Sequence, residues 1–112
     1  MNNNSAHIDT FARENLPDSS LWPELILNHP SVIYPEYLNA SQELLEKTIE
    51  IVGEDKVALV AADGTLTYLQ LLNLVNQISN FLIREGVVAG NRVAIRCPNN
   101  ATSVAIWLAI LR

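Results

Sequence analysis

The sequence predicts an α/β fold, and three observations carry that prediction. A short apolar run, Val57-Ala58-Leu59-Val60-Ala61-Ala62, meets an Asp63-Gly64 pair. A long stripe of apolar residues at helical spacing follows, from Tyr68 to Gly86. A second run, Arg92-Val93-Ala94-Ile95-Arg96-Cys97, then precedes Pro98 and another helical segment. Strand, hairpin, helix, strand and helix in that order describe a sheet layered with helices, the helix over 68–85 crossing over in the right-handed sense.

The first 38 residues stand apart as an extended arm. Pro17, Pro23, Pro30 and Pro35 interrupt any long element, yet Phe11, Leu16, Leu21, Trp22, Leu25, Ile26, Ile33, Tyr34 and Tyr37 are scattered through it. A disordered tail carries fewer large apolar residues. The expectation is an arm lying across a body and inserting side chains one at a time, with room for one short helix around 20–28. From residue 39 to 112 the chain reads as a partial α/β subdomain.

Each element of that subdomain has a local cause. Asn39 N-caps a helix with Gln42 at the capping-box position, Leu45, Ile49 and Val52 share its apolar face, and Gly53 ends it. The run at 57–62 is apolar on both sides, which implies burial on both faces. Asp63-Gly64 predicts a tight hairpin, so Thr65-Leu66-Thr67 folds back beside the first strand. Thr67 then caps the next helix, with Gln70 in register. Tyr68, Leu71, Leu72, Val75, Ile78 and Leu82 form its stripe, and Leu69, Leu74, Phe81 and Ile83 widen it beyond one face. In the strand at 92–97, Val93, Ile95 and Cys97 share one side. Asn99 or Asn100 caps the last helix, which is apolar nearly all round from Ala101 to Leu111 and carries no stop signal before Arg112. That pattern reads as truncation inside a larger body.

Bulk composition excludes several functions. With 12 acidic against 7 basic residues the net charge is −5, and no stretch clusters Lys and Arg, which argues against nucleic acid or an anionic membrane as partner. The polar start, Met1 to Ser5, lacks the basic and apolar regions of a signal peptide. The apolar run 104–111 falls far short of the roughly 20 residues that span a bilayer. The expected location is cytoplasmic, which makes the triplets at Asn39 and Asn100 accidental as glycosylation signals.

No local motif names a reaction. A Gly-rich phosphate loop, a His pair at metal spacing and a nucleophile elbow are all missing from the 112 residues. His7 and His29 read as surface or packing residues rather than ligands or acid–base groups. Glu43, Glu46 and Glu50 read as a solvated helix face rather than a paired-acid site. Tyr68 reads as a half-buried anchor, Trp22 and Trp107 as packing anchors, and Cys97, the single cysteine, as a small apolar filler.

Leu66-Thr67-Tyr68 followed by Leu71, Gly86-Val87, Gly90, Arg92-Val93-Ala94-Ile95 and Pro98-Asn99 resembles the N-terminal motif series of the adenylate-forming acyl-CoA synthetase (AMP-binding) superfamily. Asn91 departs from it, since Asp is more usual after that glycine. In the arm, His7-Ile8-Asp9-Thr10-Phe11-Ala12-Arg13, Asn15-Leu16-Pro17, Trp22-Pro23-Glu24, Tyr34-Pro35, Leu38-Asn39-Ala40 and Glu43-Leu44-Leu45 resemble the benzoate and 2-aminobenzoate–CoA ligase branch.

The resemblance implies the N-terminal portion of the synthetase large domain, a scaffold segment of an ATP-dependent aryl-acid–CoA ligase. ATP, Mg and coenzyme A are implied for the full-length enzyme and none for these residues. The family's phosphate loop, acid pocket, ribose-binding Asp, hinge and catalytic Lys all lie downstream of this stretch. No catalytic, cofactor-binding or metal residue is therefore assigned here, and the 112-mer is expected to be inactive alone. Its expected partners are the remainder of the large domain or a second copy, through the apolar helix faces. Two other readings stay open: a stand-alone interaction or dimerisation module, and the start of an amino-acid-activating adenylation domain.

Overall fold

The computed structural model describes residues 5–24 and 26–112. The polar start at 1–4 and Leu25, both used in the sequence reading, lie outside the described residues. The chain divides into two compact units, one comprising the arm up to Leu38 with Val88–Asn91, the other Asn39–Val87 with Arg92–Arg112.

The first unit is built from local turns. Helix α1 (Phe11–Glu14) is a single turn; Asp9 Oδ1 accepts from the Phe11 N–H at 2.9 Å, and Thr10 Oγ1 donates to Glu14 Oε1 at 2.6 Å. Two 3₁₀ turns follow, Ser19–Leu21 and Pro30–Val32. The first replaces the short helix expected around 20–28. Asp18 caps it, accepting from the Ser20 N–H and hydroxyl, and these bonds hold its carboxyl below the usual carboxylate range. His29 Nδ1 accepts from the Ser31 N–H at 3.2 Å, a surface capping role.

Within this unit the arm's apolar side chains gather no core of their own. Leu21, Ile26 and Ile33 are 76%, 69% and 65% exposed, and no described residue of this unit is buried. The prolines and short polar loops hold the backbone in turns only a few residues long, so no element gathers an apolar face. Trp22 still anchors locally, its Nε1–H donating to the Pro17 carbonyl at 2.9 Å.

In the second unit, Asn39 caps α2 (Ala40–Leu44) by accepting the Gln42 N–H at 3.0 Å. The single helix expected over 40–52 is interrupted at Leu45 and resumes as α3 (Glu46–Val52). Leu45 is 2% exposed, whereas Ile51 and Val52 point outward at 82% and 44%. The interruption turns that one side chain into the core.

Strands β1 (Val57–Ala61) and β2 (Gly64–Thr67) form an antiparallel hairpin. Its loop is Ala62-Asp63, one residue earlier than the expected Asp63-Gly64, because Ala61 pairs with Gly64. Gly64, at φ +141°, alone takes the positive φ of this turn. An irregularity between Val57 and Leu59 places the extra residue Ala58 in β1.

Thr67 then opens α4 (Tyr68–Arg84) through a complete capping box with Gln70. The next free helix donors are also satisfied: the Tyr68 and Leu69 N–H groups donate to the Lys56 and Glu54 carbonyls at 2.9 and 3.1 Å. Gly86 closes the helix, with Val87 N–H reaching back to the Leu82 carbonyl at 3.0 Å.

Asn100, of the two candidates, caps α5 (Ala101–Leu111), again in a capping box, here with Ser103. The core lies between α4 and α5 and is closed by Leu45 at the break between α2 and α3: Leu45, Leu71, Val75, Ala105, Leu108 and Ala109 are buried together. Ala58, Leu59 and Leu66 of the hairpin pack against it, and Tyr68 is half-buried as expected.

The α/β order is observed, with one element unformed. Residues 92–97 join no ladder, the sheet having β1 and β2 as its strands among the described residues. An extended segment becomes a strand only when a neighbour accepts its backbone bonds, and no such pairing forms here. Cys97 is exposed rather than a buried filler, and Trp107 is 51% exposed rather than enclosed.

Candidate functional site

Strand β1 ends where α5 begins, and the two border an open groove of about 360 Å³. One wall is Leu59 to Ala62; the other is Asn99 to Ala101 with Val104. Hairpin geometry sets the first wall, because the two-residue loop brings Asp63 round to α5. Asp63 Oδ1 accepts from the Ala101 N–H at 3.3 Å, a carboxylate at the positive end of the helix.

The groove's polar groups are largely committed. Asn100 Oδ1 accepts from the Ser103 N–H at 2.9 Å, and Ser103 Oγ lies 2.7 Å from the Asn100 carbonyl. Asn99 also lines the groove, among mostly apolar residues. Among the described residues no nucleophile, general base or cationic side chain lines it.

Among the described residues no group of three or more His, Cys, Asp or Glu is placed to hold a metal ion. His7 and His29 are both exposed. The three glutamates do not act as one solvated face. Glu43 pairs with Lys47 one helical turn on. Glu46 instead meets Arg112, whose guanidinium holds the Glu46 carboxyl below its usual range.

Sequence reasoning missed that last pair and the Asp63 cap. Both join residues far apart in the chain, and neither leaves a local signature. It also missed Ser79, buried on α4, whose hydroxyl lies 2.9 Å from the Val75 carbonyl and 3.2 Å from the Ala109 carbonyl.

The largest unassigned feature is apolar surface. Val60 of β1, Phe81 and Ile83 of α4, and Trp107 of α5 are 81%, 50%, 68% and 51% exposed. No helix among the described residues is long and apolar enough to cross a membrane.

Comparison with known proteins supplies what the groove does not. The chain is 37% identical over 70 residues to a medium/long-chain-fatty-acid–CoA/3-oxocholest-4-en-26-oate–CoA ligase of Mycobacterium marinum, covering 62% of this chain and 12% of that protein. It is 32% identical over 109 residues to a linear gramicidin synthase of Brevibacillus parabrevis, covering 96% of this chain and 1% of that protein. An acetyl-coenzyme A synthetase of Paraburkholderia phymatum is 29% identical over 111 residues, covering 91% and 17% respectively. This chain thus spans a small fraction of the length of the curated relatives it matches. No solved structure gives a significant match. The AMP-binding enzyme family matches residues 45–112, from the buried Leu45 through both strands to the end of α5, and the chain belongs to that family.

Proposed function

We propose that this chain is the N-terminal scaffold of an adenylate-forming acid–thiol ligase, of the aryl-acid–CoA class. In such a reaction a carboxylate attacks the α-phosphate of ATP to give an acyl-adenylate and pyrophosphate. The thiol of coenzyme A then displaces AMP to give a thioester. The groove between β1 and α5 offers amide and apolar groups, which supports a scaffold role for this segment. ATP, Mg and coenzyme A belong to the whole enzyme, and this segment's role is to carry the rest of the domain.

The family match over residues 45–112 is the observation that carries the adenylate-forming reading. The aryl preference rests on the arm motifs from His7 to Leu45, and a cytoplasmic location follows from the same reading. The exposed apolar residues of β1, α4 and α5 favour the remainder of the large domain as their cover. A second copy of the segment is the competing cover, and it underlies the reading as a stand-alone dimerisation module.

Pyrophosphate exchange by the full-length protein, screened over aromatic, fatty and amino acids, tests the proposal. Exchange supported by benzoate or 2-aminobenzoate is the expected result. Exchange with amino acids or fatty acids alone overturns the aryl assignment, and none with any carboxylic acid overturns the ligase itself. Sedimentation of the 112-mer separates the two covers, a discrete stable dimer favouring the module.

A further inference from the structure

The start of the chain is tied to the loop after α4 by polar contacts. The Ile8 and Asp9 N–H groups converge on the Ala89 carbonyl at 2.8 and 3.0 Å, and Asn91 Nδ2 donates to Asp9 Oδ2 at 2.8 Å. These bonds act without an apolar core, because no described residue of this unit is buried.

Asn91 makes two bonds of opposite polarity. Its Oδ1 accepts from the Val88 N–H at 3.0 Å and closes the loop, while its Nδ2 faces the Asp9 carboxylate. A side-chain amide supplies an acceptor and a donor together. An aspartate would keep the first bond and set two carboxylates against each other in the second. Gly90 lets the two backbone segments of this contact meet: its φ is +98°, and a Cβ there would collide with the Asp9 carbonyl.

We propose that Asp9, Ala89, Gly90 and Asn91 form a latch that holds the N-terminal arm by polar complementarity, releasing it as a separate piece while the helical unit stays folded. The latch is independent of the ligase reading. Its core is the pairing of a carboxylate at 9 with an amide at 91.

Amide hydrogen exchange of the full 112-residue chain at neutral pH tests it, comparing wild type, Asn91→Asp and the exchanged pair Asp9→Asn/Asn91→Asp. In Asn91→Asp, exchange of the Ile8 amide should accelerate about tenfold or more, as expected for loss of a charge-assisted bond. The amides of Leu71 and Val75 in α4 should keep their wild-type protection. The exchanged pair restores one donor facing one carboxylate and should return Ile8 toward the wild-type rate. An unchanged Ile8 rate in Asn91→Asp overturns the latch, as does failure of the exchanged pair to restore it. Loss of α4 protection in Asn91→Asp also overturns it, because the arm contact would then belong to one cooperative unit.

Discussion

Arg112 meets Glu46 with both guanidinium Nη atoms, at 2.7 and 3.2 Å, across 66 positions of sequence. The Arg112 carbonyl meanwhile accepts from Asn39 Nδ2 at 2.7 Å. The residue after α5 is thus held to the start of α2 and the start of α3. The fork geometry suits two carboxylate oxygens, which makes this pair more directional than a lysine contact.

That pair gives stability a pH dependence of known sign. The folded-state pKa of Glu46 is lowered, chiefly by its hydrogen bond to Arg112. Its contribution is therefore fully present above the unfolded glutamate pKa and is lost as pH falls through the lower folded value. With both side chains a quarter to a third exposed, the contribution should be about 0.2–1 kcal/mol. Urea unfolding of wild type and Glu46→Gln should differ at pH 7 and converge as pH falls below the lowered folded-state pKa of Glu46. Equal stabilities at both pH values would remove the pair from the stability balance.

Core position should separate two apolar residues of similar size. Leu71 is 3% exposed and Ile51 82%. Leu71→Ala should cost about 2–5 kcal/mol in urea unfolding. Ile51→Ala should stay within about 0.5 kcal/mol. Comparable losses at both sites would mean that Ile51 is covered in solution.

The N-terminus of α5 should depend on its caps. Asn100→Ala removes the capping box and should cost about 1 kcal/mol, with Asp63→Ala costing a similar amount or less. Thermal melts followed by circular dichroism measure both. No change in either variant would show that packing alone sets this helix start.

Cys97 is exposed, so its thiol should react with a chromogenic disulfide reagent in native buffer at nearly the rate seen in denaturant. Strong native protection would place Cys97 in the interior after all, as the sequence reading expected.

Helices α4 and α5 were legible because their causes are local. Thr67 with Gln70, an asparagine at 99 or 100 (Asn100 in the structure), and Gly86 at a positive φ each act within one turn of the chain. The α4 stripe was legible in outline, but its buried line is Leu71, Val75 and Ser79, the serine hydroxyl lying within reach of the Val75 carbonyl of its own helix and of the Ala109 carbonyl thirty residues away. The hairpin was recognisable, yet its loop moved by one residue. The unpaired segment at 92–97 shows the converse, since strand propensity without an accepting neighbour makes no strand. The candidate groove left no mark in the sequence, because its walls come from Leu59 to Ala62 and from Asn99 to Val104.

The amino-acid order by itself determined where α2, α4 and α5 start, where α4 stops, the hairpin between them, and the motif series shared with AMP-binding enzymes. Those follow from caps, periodicity and turns, which act over a few residues. Only the tertiary structure decided which apolar residues are covered, that Glu46 is paired with Arg112, and that the arm is attached through Asp9 and Asn91. Burial and charge pairing depend on distant segments meeting in space, and no local pattern records which ones meet.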